Sequence, residues 1–211
     1  MHPTRALLFA ALTAAAACAP ATASRPLSPA DVVRRDGGIP PYVQADVDFM
    51  TGMISHHAQA VTMSNMAPSH GASRAVAEFA ARIAVAQTDE IAFMSNWLKA
   101  RNKPLPAADA HAHAGHGSEH TMMAMNGMLS PEQMAQLDAA RGPEFDRLFL
   151  TFMIQHHLGA VSMVESLMQV DGAIRDEDVY KFVADVVADQ ETEIDRMRVM
   201  LAAMPPASRI P

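Results

Sequence analysis

MISHHAQAVTM runs from Met53 to Met63, and MIQHHLGAVSM runs from Met153 to Met163. The string Met-Ile-x-His-His-x-x-Ala-Val-x-Met is therefore written twice, 100 positions apart. The match reaches upstream, from Asp46, Phe49 and Thr51 to Asp146, Phe149 and Thr151. A second pair follows, QTDEIAFMSNWL (87–98) and QETEIDRMRVML (190–201), at an offset of 103. The three inserted residues belong in a turn. All four segments carry apolar residues at three- and four-residue spacing, the rhythm of a helix and not of a strand. Pro68, His70, Gly71 and Ser73 punctuate the first half, and Asp171, Gly172 and Asp176 the second.

Each half then reads as an αα-hairpin, residues 42–67 with 73–101 and residues 144–169 with 176–203. One hairpin cannot bury both of its apolar stripes, but two can bury them against each other. The expected fold is all-α, a four-helix up-down-up-down bundle with its first and third helices parallel and both His pairs at one level. Residues 102–129 join the halves and carry no apolar period. After them SPEQ (130–133) forms a capping box, and Gly142-Pro143 ends the short helix it starts.

Ahead of the bundle, MHPTRALLFAALTAAAACAP has a positive start at Arg5 and a short apolar run over 6–17. That run is too short to span a bilayer and reads as a secretory signal within residues 1–23. Cleavage is expected at one of two places. One is Cys18, the single cysteine, in a weak lipoprotein site that would anchor the chain to lipid; the other is before Ser24. Residues 24–41 read as a tether, leaving 42–204 as the folded domain. The expected location is the periplasm or another extracytoplasmic space, soluble or lipid-anchored. The domain has no thiolate ligand and no disulfide. The net charge of −7 argues against a nucleic-acid partner, which requires a basic footprint.

The chain holds 17 methionines and 10 histidines, more Met than core filling needs. With Met53 at zero on a helical wheel, His57 lies about 40° to one side and His56 about 60° to the other. Both fall on the face that must be buried, His57 nearer its middle. His156 and His157 repeat the geometry. A lone buried histidine is ordinarily satisfied by one hydrogen bond, but two adjacent imidazoles buried twice over need more compensation. Helical spacing brings Met53 to His56 or His57, and Met153 to His156 or His157, around one ion. Met63 lies too far along the helix to share that ion and pairs more readily with Met66; Met163 is its counterpart. Met94 and Met197 stand on the facing stripes as further candidate ligands, with Gln87, Glu90, Gln190 and Glu193 as outer partners that orient the imidazoles. Counting from the turns sets Met53 near Gln87, His157 opposite Gln190 and Met153 opposite Glu193.

Thioether with imidazole and no thiolate selects copper, with silver(I) accepted on the same grounds. Zinc prefers Cys, His or carboxylate. The connection adds His111, His113, His116 and His120, then Met122, Met123, Met125 and Met128, a compositional metal signal. A flexible tract of this kind should bind more weakly than a packed bundle.

These residues resemble the bacterial domain-of-unknown-function family three-zero-five, a ferritin-like four-helix group. Its hallmark is similar to Asp46–Met63 with Gln87–Met94, and to Asp146–Met163 with Gln190–Met197. Ser55 stands where Pro is common. The resemblance covers about residues 42–204 and implies an exported bundle similar to periplasmic copper-binding proteins linked to copper resistance. The expected function is to sequester copper or pass it to a donor or acceptor protein. The alternatives are a copper-dependent oxidoreductase on the same bundle or a metal-free structural adaptor. No nucleophile motif, phosphate loop or nucleotide fingerprint favours an enzyme.

Overall fold

A computed structural model of the chain describes residues 41–106 and 126–205. The expected signal, nearly all of the tether and residues 111–125 of the His/Met tract lie outside the described residues. Regular structure within them is helical: α1 (Gln44–Met66), α2 (Arg74–Ala100), a short α3 (Pro131–Ala139), α4 (Pro143–Met168) and α5 (Glu177–Ala202). The all-α bundle is as expected, with α1–α2 and α4–α5 as hairpins and α1 packed on α4 between them.

Helix starts are fixed by side chains that accept otherwise orphaned N–H groups. Ser73 Oγ accepts from Val76 N at 3.4 Å, opening α2. Asp176 Oδ1 accepts from Asp178 N at 3.1 Å and Val179 N at 3.3 Å, opening α5. The SPEQ box is formed: Ser130 Oγ accepts from Gln133 N at 3.3 Å, and Gln133 Oε1 accepts from Ser130 N at 2.9 Å.

The direction of the third long helix corrects the up-down-up-down order. Asp46, in the first turn of α1, accepts from Val43 N at 2.8 Å and also from Ile174 N at 2.9 Å, in the α4–α5 loop. Asp146, in the first turn of α4, accepts from Ser73 N at 3.1 Å, at the end of the α1–α2 loop. Each long helix begins beside the other hairpin's loop, so α1 and α4 run antiparallel. The order is up-down-down-up, and a pseudo-twofold axis crosses the helices instead of running along them. An up-down-up-down chain would need only a short loop from α2 to α4. The 42 residues between α2 and α4 (101–142) leave room for one long crossover of the kind ferritin-like folds use, and residues 126–129 lie along α1 and α4.

Two apolar clusters fill the interior. One gathers Met50, Met53, Met94, Met163 and Leu167; the other gathers Met63, Phe145, Phe149, Met153 and Met197. Along α1 and along α4 the histidines fall between the two. The returning chain is clamped at mid-height. Gln59 Oε1 accepts from Leu129 N at 2.7 Å, and Gln59 Nε2 donates to Leu129 O at 3.1 Å. Beside it Gly127, at φ +76°, lies against Gly159 of α4 so closely that a Cβ on Gly159 would stand 2.1 Å from Asn126 O. Only a glycine lets the two backbones meet there.

Candidate metal centre

Adjacent residues on a helix point about 100° apart, and that angle divides the work of each His pair. His56 and His156 point across the pseudo-twofold axis and meet, their ring centroids 3.8 Å apart. His57 and His157 point within their own hairpins. His57 Nε2 lies 2.7 Å from Glu90 Oε2 on α2, and His157 Nε2 lies 2.6 Å from Glu193 Oε2 on α5. All four imidazoles are 0% exposed, while the two glutamates retain 20% and 21% of their side-chain surface. His56 and His156 therefore hold the centre of the buried layer, which corrects the expectation that His57 and His157 would.

The pairing register is corrected as well. His157 meets Glu193 and not Gln190, and His57 meets Glu90, which moves Met53 past Gln87 toward the Met94 end of α2. Counting from a turn assumes that both helices leave it at one height. Here α2 begins beyond the end of α1, because residues 67–73 take up height before the chain reverses.

His56 Nε2 donates to the carbonyl of Asn126, 2.9 Å away on the returning chain. That contact and the carboxylate contacts all engage Nε2. Among the described residues the Nδ1 atoms of His56, His57, His156 and His157 have no hydrogen-bond partner, nor has Nε2 of His156; Nε2 of His57, 2.7 Å from Glu90, makes an ion-pair contact without hydrogen-bond geometry. An unsatisfied buried polar atom costs about 1–3 kcal/mol. Six such nitrogens together approach the whole stability of a typical domain, about 5–15 kcal/mol. A fold that keeps them uncompensated has a use for them.

Burial, then the neighbouring imidazole of His57, pushes His56 down to about 3, opposed by its bond to Asn126. His156 is held well below the ordinary histidine range by burial first, then by His56, His157 and His57. Both are neutral at pH 7, the form in which imidazole ligates a metal.

Helix direction also redistributes the methionines. Met63 and Met163 do not sit with their own hairpins' Met53 and Met153. Met163 joins Met53 and Met94 on one side of the histidine layer, and Met63 joins Met153 and Met197 on the other. Each group draws on three helices, and all six side chains are at most 1% exposed. Met66, the expected partner of Met63, is partly buried against the same cluster. Among the described residues no three His, Asp or Glu side chains are arranged to hold an ion by themselves. The donors buried in the layer and in the clusters on either side of it are imidazole and thioether, a pair that suits a soft ion.

Of the other expected residues, Gln87 and Gln190 are buried beside the layer, at 2% and 3% exposure. Met128 is half-buried in the clamped stretch, while His111, His113, His116, His120, Met122, Met123 and Met125 lie outside the described residues. Sequence reasoning missed Asn126, which meets His56, and Gln59, which meets Leu129, each across 70 positions with no local signal. His70 follows the ordinary course of a core histidine. Its ring bonds Ser69 Oγ at 2.9 Å and Asp138 O at 3.0 Å, far from the other four, and ties α3 to the first loop.

A family model described as a domain of unknown function, DUF305, matches residues 46–201. A presumed secreted DUF305 protein from Streptomyces coelicolor is 27% identical, covering 75% of this chain and 92% of its own, with a TM-score of 0.63. A DUF305 fragment from Deinococcus radiodurans is 27% identical over 77% of this chain and 99% of its own, with a TM-score of 0.64. CopM in the Cu(II)-bound form is 28% identical over 74% of this chain and 95% of its own, with a TM-score of 0.57. No curated protein matches the chain.

Proposed function

The chain belongs to the DUF305 family, and we propose that this member is an exported copper-binding protein, not an enzyme, that sequesters copper or hands it on in the periplasm. The observation that carries this reading is the buried imidazole layer, with its unpartnered Nδ1 atoms, between two three-helix methionine groups. Copper accepts both donor types, imidazole in either oxidation state and thioether as Cu(I). Silver(I) fits the same set. Likeness to CopM, a protein seen with Cu(II) bound, supports the metal. Likeness to a presumed secreted protein supports export, and among the described residues no helix is long and apolar enough to cross a membrane.

In the bound state copper would take ligands from His56, His57, His156 and His157 through Nδ1, with sulfur from Met53, Met94 and Met163 or from Met63, Met153 and Met197. Glu90, Glu193 and Asn126 would hold the rings from behind, as carboxylate and carbonyl partners do for ligating histidines. The His/Met tract would supply weaker, adaptable sites, because a flexible chain loses conformational entropy for every ligand it contributes. The test is the metal content of protein purified from copper-fed periplasm, followed by Cu(I) and Ag(I) titration. Copper at one or more equivalents is expected. A chain recovered without copper that also takes up neither ion in vitro overturns the reading.

A further inference from the structure

The face where α2 lies alongside α5 carries an open cleft of about 430 Å³. Its walls hold three carboxylates: Glu90 from α2, and Asp189 and Glu193 from α5. Glu90 and Glu193 each touch both solvent and a buried imidazole, being partly exposed while lying 2.7 and 2.6 Å from Nε2 of His57 and His157. Gln87 and Gln190 form the inner wall. Both are almost wholly buried, and Gln87 Oε1, Gln87 Nε2 and Gln190 Oε1 have no hydrogen-bond partner. Arg82 and Arg196, also in the lining, stand over the ring of Phe79 at 5.6 and 5.7 Å, and among the described residues neither forms an ion pair with Glu90, Asp189 or Glu193. Asp189 titrates above the ordinary carboxylate range, through desolvation first and then the nearby charges of Glu90, Glu193 and Asp185. Crowded negative charge of this kind is relieved by a cation.

We infer that the α2–α5 cleft is a docking port for a hydrated divalent transition-metal cation, through which the ion exchanges between solvent and the buried histidines. The inference rests on the copper reading above and adds the route. Size permits it: an ion with six waters takes roughly 180 Å³, at about 30 Å³ per water. The chemistry is graded. Carboxylate and carboxamide oxygens replace water around the ion first. His57 and His157 lie directly behind Glu90 and Glu193, at 2.7 and 2.6 Å, and replace oxygen with nitrogen. Asp189 has no equivalent in the first hairpin, where Ala86 stands at the matching position, so the port is charged chiefly by α5.

The test is stopped-flow uptake of Cu(II), read by quenching of Trp97, the only tryptophan. It uses the full chain with the four tract histidines changed to alanine in every sample, so that the bundle alone is read. Asp189→Asn removes port charge, Ala86→Phe fills the cleft without changing charge, and Asp171→Asn, on a distant exposed turn, controls for net charge. At low salt, Asp189→Asn should slow association about 3- to 10-fold, a range typical of lost electrostatic steering. Dissociation should slow equally, leaving equilibrium affinity within twofold. Ala86→Phe should slow both rates, and Asp171→Asn neither. Copper uptake by the parent with unchanged rates in Asp189→Asn and Ala86→Phe overturns the port and leaves the copper reading standing. Loss of affinity in Asp189→Asn without slower association makes Asp189 a ligand and also overturns the port. A parent bundle that takes up no copper overturns both.

Discussion

His56 and His156, one from each copy of the repeat, lie ring against ring at 3.8 Å across the axis relating the two hairpins. Each is the other's counterpart, so duplication has placed identical side chains in contact. Two neutral imidazoles tolerate this contact, whereas two imidazolium ions would repel each other inside an apolar layer.

Acid should therefore unfold the metal-free protein. His56 is depressed to about 3 when folded, and His156 is depressed too, against an ordinary value near 6.5. Below about pH 6.5 the unfolded chain binds protons that the folded chain refuses, so stability is full above that pH and falls as pH drops toward 3. The slope is at most about 1.4 kcal/mol per pH unit for each histidine. Urea midpoints measured from pH 7.5 to 4 should fall steadily, and His156→Phe should flatten the curve. A flat wild-type curve would show that both rings protonate freely in the fold.

Silver(I) or Cu(I) should raise the melting temperature. A ligand bound only by the folded state adds about 2.7 kcal/mol at a hundredfold excess over its dissociation constant. For a domain of this size that amounts to roughly 5–10 °C. Circular-dichroism melts with and without Ag(I) decide the matter, and superimposable curves at saturating metal count against a site in the bundle.

Replacing His57 and His157 by alanine should weaken the tightest Cu(I) site by at least tenfold, and more than replacing His111, His113, His116 and His120 together. The bundle rings are already held by Glu90 and Glu193, so little ordering remains on binding. Competition against a chromophoric chelator measures both variants. If only the tract variant loses the tight site, the doubled motif serves packing and the metal chemistry resides in the tract.

Gly159→Ala should destabilise the fold by about 1–3 kcal/mol although alanine is the better helix former by about 1 kcal/mol. Its Cβ would fall 2.1 Å from Asn126 O, forcing the returning chain off α4 and breaking the bond to His56. Chemical denaturation gives the loss, and the His56 ring ¹⁵N signals report the broken bond. Wild-type stability in this variant would mean that residues 126–127 are not held against α4.

How much of this could be read beforehand follows from where each interaction lies in the chain. The helices, the hairpins and the buried His pairs depend on residues a few positions apart, and the doubled motif displays them. The role of Asp46 and Asp146 was visible only as a repeated letter, because their partners Ile174 and Ser73 belong to the opposite hairpin's loop. The direction of α4 shows in contacts between one hairpin's helix starts and the other's loop, which periodicity does not record. The methionine grouping follows from that direction: parallel helices would set Met63 level with Met163, whereas antiparallel helices bring it to Met153 and Met197. Asp189 escaped notice because it is one carboxylate among many until α2 and Glu90 stand beside it.

The connection passes the bundle once, while the motif occurs twice. Gln59 and Gly159 occupy the same place in their repeats, yet one grips the passing chain and the other yields room for it. His56 accordingly has a carbonyl at its back, and His156 has none. Descent from two identical halves would thus have left an unequal pair, one imidazole tied to the passing backbone and the other held by packing. An ion bound between them, as proposed above, would meet two rings in different surroundings, one tied to the backbone of residue 126 and one held by packing alone.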